Sequence, residues 1–122
     1  MIYAIFLRLA PAATANLARP GVMEAVAEAA CGGQPPPLKD LMALGQPEDF
    51  ARLFVQRLGY LMRLRQAGIV RGAGPFADLK EGMYLCNVPD EHETHRILEE
   101  DPFFKAGLIE ADFTVRRWLA AI

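Results

Sequence analysis

A chain of 122 residues, 52% hydrophobic and 23% charged, has the size and composition of one globular core, and folding should bury roughly two-thirds of its unfolded surface. The net charge of −2 excludes the basic footprint that a nucleic-acid phosphate backbone requires. The leading stretch Met1 to Leu7 lacks a positive start and is broken by Arg8, and no apolar run approaches the roughly 20 residues that span a bilayer, so a soluble cytoplasmic protein without a membrane partner is expected.

Ile2 to Leu9 is apolar on both sides of a strand, with Ile2, Ala4 and Phe6 opposing Tyr3, Ile5, Leu7 and Leu9, and such a strand must be covered on both faces. From Pro11 to Gln46 the pattern is irregular. An Ala-rich helical stretch from Val22 to Ala30 stops at Gly32-Gly33, and Pro35-Pro36-Pro37 precedes a short helix from Leu38 to Leu44 ended by Gly45. This stretch is too short to bury a core of its own and reads as an insertion within a single domain spanning 1–122.

Pro47 at a first helical position, followed by Glu48 and Asp49, marks the start of the longest helix, which runs to about Ala67 and stops at Gly68. Phe50, Leu53, Phe54, Leu58, Leu61 and Leu64 form its apolar face, and Gly59 inside it suggests a close backbone approach. A second strand is expected over Ile69 to Ala73 and a third over Met83 to Val88, the latter again apolar on both sides. Asp90, with Glu93 three residues on, caps the next helix, which ends near Glu100. In the last strand Ile109, Ala111, Phe113 and Val115 alternate with polar residues, as at a sheet edge.

The order is that of a ferredoxin-like βαββαβ α+β domain, with the first and third strands central and a helical insertion, residues 11–46, after the first strand. Two helices cover only one face of such a sheet. A second copy of the chain is the simplest cover for the other, and folding of the 11–46 insertion over that face is the alternative.

The stretch Leu61-x-x-Leu64-x-x-x-Gly68-Ile69-Val70-x-x-Ala73-Gly74-Pro75-Phe76, with Gly82, Asp101-Pro102-Phe103-x-x-Ala106-Gly107-Leu108 and Val115-x-x-Trp118, resembles the YCII-related family. The resemblance covers about half of the chain, from Leu58 to Trp118, together with the opening strand. It implies a dimeric α+β barrel, in which the sheets of a homodimer close on one another. It also implies a small-molecule-binding protein or cofactor-free enzyme with a pocket between sheet and long helix; a non-catalytic homodimeric structural or regulatory module is the alternative. Many members carry a His, half of a His and Asp pair, where this chain has Arg57. A guanidinium does not shuttle protons, so Arg57 is read as a contact for a small anionic ligand or as an exposed residue in a salt bridge. The ligand reading expects Arg57→Ala to weaken anion binding with little change in the thermal midpoint.

Asp78, Tyr84 and Arg8 complete the candidate ligand contacts, each with a plainer reading: a turn residue, a core aromatic whose hydroxyl finds a partner, and a strand end reaching solvent. Asp101, ahead of Pro102, is with Asp78 a carboxylate placed near a cleft at the sheet's end, and its plainer, favoured reading is a turn and capping residue. His92 and His95 share a helical face, but two ligands are too few for a metal and the surrounding glutamates mark a solvated surface. Cys31 and Cys86 form no metal or disulfide pattern and read as reduced, buried thiols. Gly72-Ala73-Gly74 lacks the tail and helix of a phosphate loop, and Phe113 and Trp118 read as sheet and interface packing. Neither a metal nor a cofactor is indicated.

Overall fold

Strands with apolar residues on both sides belong in the middle of a sheet. In the computed structural model, which describes residues 1–121, β1 (Ile2–Arg8) lies between β3 (Glu81–Asn87) and β4 (Thr114–Trp118), and β2 (Val70–Pro75) pairs with the outer side of β3. The order is β2-β3-β1-β4, with all neighbours antiparallel, which is the ferredoxin-like α+β arrangement. The register sets Ile5 between Tyr84 and Val115, and Ile5, Tyr84 and Cys86 are completely buried.

That buried face is covered by α4 (Glu48–Gln66) and α5 (Glu91–Glu99). Pro47 takes the cap position of α4, not the first helical position expected for it, and its carbonyl accepts from Ala51 N at 2.9 Å. Glu48 and Asp49 stand at the positive end of this helix and Arg63 and Arg65 at the negative end, each sign where the helix dipole favours it. Asp90 caps α5 by accepting from Glu93 N at 3.0 Å. The four-residue helix α6 (Pro102–Lys105) follows.

Residues 11–46 are more regular than their composition suggests, forming α1 (Pro11–Leu17), α2 (Val22–Cys31) and α3 (Leu38–Ala43). The signal for α1 is Pro11, whose fixed φ and missing N–H suit a first helical turn. Ala13, Leu17, Val22 and Leu41 join the same core as Ile5 and Leu7, and α3 packs on α4. The insertion therefore adds to the helix-covered face, and the alternative that it folds over the opposite face does not hold. On that opposite face Ile2, Phe6, Met83 and Leu85 remain half-buried and Trp118 is 51% exposed. Gly59 meets only side chains of Arg63 and Pro35, so it marks no close backbone approach.

The last strand starts at Thr114, later than expected. Ile109 makes an isolated bridge with Leu9, and the chain between bends so that Glu110 and Asp112 meet Arg8. The β2–β3 hairpin tip holds Leu79 in the left-handed region at φ 59°, sparsely populated for a branched side chain. It is tied to α1 by the Thr14 hydroxyl, which donates to the Leu79 carbonyl at 2.7 Å. Among the described residues no helix is long and apolar enough to cross a membrane.

The two cysteines differ, against the expectation that both are buried. Cys31 is exposed at the end of α2, whereas burial pushes the Cys86 thiol up to about 11. Iodoacetamide at pH 8 should modify Cys31 in the folded protein and reach Cys86 only after denaturation, as peptide mass analysis would reveal. Equal labelling of both would contradict this packing of β3.

Candidate ligand-binding site

The inner stripe of α4 places an arginine among aromatic rings. Phe50, Phe54, Arg57 and Leu61 follow one another at spacings of four, three and four, so Arg57 points at the sheet and is only 5% exposed. This corrects the reading of Arg57 as an exposed residue, although an ion pair is what it makes. Its Nε donates to both carboxylate oxygens of Asp101, at 3.3 and 3.1 Å, with the Asp101 side chain fully buried. The Arg57 guanidinium carbon lies 4.7 Å from the Phe103 ring centroid, where a cation is attracted to the aromatic face.

Asp101 is positioned by a second task. As the cap of α6 it accepts from Phe103 N at 2.8 Å, and its other oxygen accepts the hydroxyl of Tyr84 from the centre of the sheet. Arg57 Nη2 donates to the Tyr84 hydroxyl at 3.4 Å, closing a three-residue cluster that joins α4, β3 and the start of α6. Both carboxylate oxygens are thus hydrogen-bonded, as a buried charge requires. The capping reading of Asp101 describes half of its role. The signal for the other half is the 50, 54, 57, 61 spacing, which puts a charge in the core that only an opposite charge can accompany.

One turn along α4, Tyr60 donates to the Ile97 carbonyl at 2.6 Å and so fastens α4 to α5. Its phenol is pushed well above the usual range, first by burial and then by the negative charges of Glu100 and Asp101, which keeps it a donor.

Arg57 and Tyr84 also border a narrow cleft with Leu7, Leu9, Gly74, Pro75, Gly82 and Met83. Gly82 is obligatory there, because a Cβ at this position would stand 2.9 Å from the Gly74 carbonyl oxygen across the strand pair. The cleft measures about 10 Å³, room for a single water. Among the described residues Arg57 Nη1 donates no hydrogen bond, and it is the one nitrogen of this guanidinium left without a partner.

The structure brings Arg57 and Tyr84 together and sends the other two candidates elsewhere. Arg8 is an exposed residue paired with Asp112 and Glu110. Asp78 is exposed in the hairpin, where its Oδ1 accepts from Lys80 N at 2.9 Å, as a turn residue does. His92 is exposed, whereas His95 is half-buried with its ring 5.2 Å from that of Phe113. No group of three or more metal-ligating side chains occurs among the described residues.

The family model described as "YCII-related domain" matches residues 41–119, well over half of the chain. Among solved structures the chain is similar to 5-chloro-2-hydroxyhydroquinone dehydrochlorinase from Burkholderia phenoliruptrix AC1100 in complex with 2,5-dihydroxybenzoquinone. The TM-score is 0.51 and the sequence identity 20%, over 97% of this chain and 93% of that one, which supports the fold. No curated protein matches the sequence.

Removing one member of a buried ion pair strands the other in a low-dielectric interior. Arg57→Leu should therefore cost about 3–5 kcal/mol, contrary to the little-changed midpoint that the ligand reading of the sequence expects for Arg57→Ala. Asp101→Asn, which keeps the cap, should restore part of that loss when combined with it. Urea denaturation of the single and double variants measures both; additive losses would mean that the two side chains do not act as a pair.

Proposed function

The chain belongs to the YCII-related family, and on that premise we propose that it binds a small planar anion at the cleft floored by Arg57. The observation that carries this reading is Arg57 itself, a residue only 5% exposed that lines the cleft and whose Nη1 donates no hydrogen bond among the described residues. The planar guanidinium suits a carboxylate or an enolate, while Asp101 fixes its opposite edge. Gly74 and Gly82 add no side chain to the cleft, and the β2–β3 hairpin residues Gly74, Pro75, Gly82 and Met83 form the wall that yields to admit a ligand. Tyr84 and Asp101 are the protic groups that remain, so binding and charge stabilisation describe the site better than proton shuttling through position 57. Arg8 and Asp78, engaged in a surface ion pair and a turn, carry none of this reading.

The competing reading is a non-catalytic homodimeric module, favoured by the internal satisfaction of Asp101 and the small size of the cleft. The ligand of the dehydrochlorinase structure, 2,5-dihydroxybenzoquinone, supplies a suitable probe of planar, multiply oxygenated type. An absorbance titration should give saturable binding to the wild-type protein, weakened about tenfold in Arg57→Lys, which keeps the charge and loses the fork. Absence of saturable binding by this probe and by benzoate at millimolar concentration would favour the module.

A second copy of the chain is our reading of what covers the open sheet face of Ile2, Phe6, Met83, Leu85 and Trp118. Size-exclusion chromatography with light scattering should give twice the 13.5 kDa chain mass, and Phe6→Glu should shift the protein to monomer. A wild-type monomer at micromolar concentration would overturn the homodimer.

A further inference from the structure

Beside the sheet edge, away from the Arg57 cleft, α2 stands apart from α4 and β2 across a groove of about 420 Å³, within the size range of small-molecule sites. Its floor is Leu58 and Leu61 of α4 with Val70 of β2, and Val26 and Ala30 of α2 form the facing wall. Only Val22 of the ten residues of α2 is fully buried, so Val26 and Ala30 present an apolar stripe that the chain itself leaves incompletely covered. Val22 anchors α2 in the core and Met23 and Val26 are only partly buried against it, so the helix keeps apolar surface that a ligand in the gap would cover.

The polar character of the groove is one-sided. No acidic residue lines it, and Arg65 with Gln66 stands at one end where α4 terminates. Arg65 Nη1 donates to the carbonyl of Arg71, which pins the guanidinium beside the strand edge, and among the described residues Arg65 makes no ion pair. In a chain with 15 acidic side chains, an unpaired guanidinium at the end of an apolar trough selects for a negative head on an apolar body.

We propose that this groove is a second ligand site, for a small amphiphilic carboxylate whose apolar body of roughly ten carbons lies between α2 and α4 and whose head pairs with Arg65. The ligand completes the burial of the α2 stripe, so α2 closes on it as one wall of the site. This site shares no side chain with the Arg57 cleft and does not depend on it.

Sodium decanoate, kept below its micellar concentration, is the probe, titrated into the full chain with calorimetry and amide NMR as readouts. One equivalent should bind with shifts at Ala30 and Ala73, and octanoate should bind about tenfold more weakly as two methylenes leave the groove. Arg65→Glu should weaken decanoate about tenfold or more, and Ala30→Trp, which fills the groove from an exposed position, should abolish binding. Arg57→Lys should leave decanoate binding unchanged, so failure of the Arg57 reading and failure of this one are separable. Three results would overturn the proposal: affinity indifferent to both groove variants, decanol binding as tightly as decanoate, or shifts confined to the sheet face around Phe6 and Trp118. Shifts at the groove that follow protein concentration in place of decanoate would assign it to a second copy and equally overturn the proposal.

Discussion

A cation placed in the core of a small domain dictates much of what surrounds it. Once Arg57 lies on the inner stripe of α4, its charge must be met by another that is also removed from water, and Asp101 meets it at 3.1 Å. That requirement fixes the start of α6, the rotation of Phe103 against the guanidinium and the hydroxyl of Tyr84 in the middle of the sheet. Three separate pieces of sequence are thereby held to one point. An aliphatic residue at position 57 would pack against the same rings without imposing any of these positions, which is the sense in which a buried pair specifies structure more than it stabilises it.

The same constraint shapes the functional reading. A guanidinium satisfied on one edge and free on the other is a positive fork whose orientation Asp101 already fixes. Its neighbours leave little room, and the glycines at positions 74 and 82 are what keep an approach to it at all. On the proposed reading a ligand enters only if the cleft widens beyond its 10 Å³, whereas the groove beside α2 is already open.

The central strands are legible because β1 and β3 are apolar on both sides, which suits the two middle positions of the βαββαβ sheet. The capping Asp90 and the long helix were legible from local chemistry that acts within one turn. Helix α1 is obscured by small residues that carry no periodic signal, and the late start of β4 coincides with a bend in which Glu110 and Asp112 meet Arg8, a long-range contact that no local pattern encodes. Within the candidate site, Arg57 and Tyr84 were recognised as residues of interest. Their union with Asp101 spans 44 positions of sequence and rests on packing, which composition and spacing foreshadow only through the stripe containing position 57.

The hydrogen bond from Thr14 to the Leu79 carbonyl ties the first helix of the insertion to the tip of the β2–β3 hairpin. Residue 79 holds a left-handed conformation that is costly for leucine and persists because its surroundings, this hydrogen bond among them, hold it. Any swing of the hairpin away from Arg57 must either break that bond or drag α1 along with it. In mechanical terms the helix of residues 11–17 would act as a latch on the hairpin if the cleft opens as proposed, with residues remote from the cleft in sequence bearing on how readily it does so.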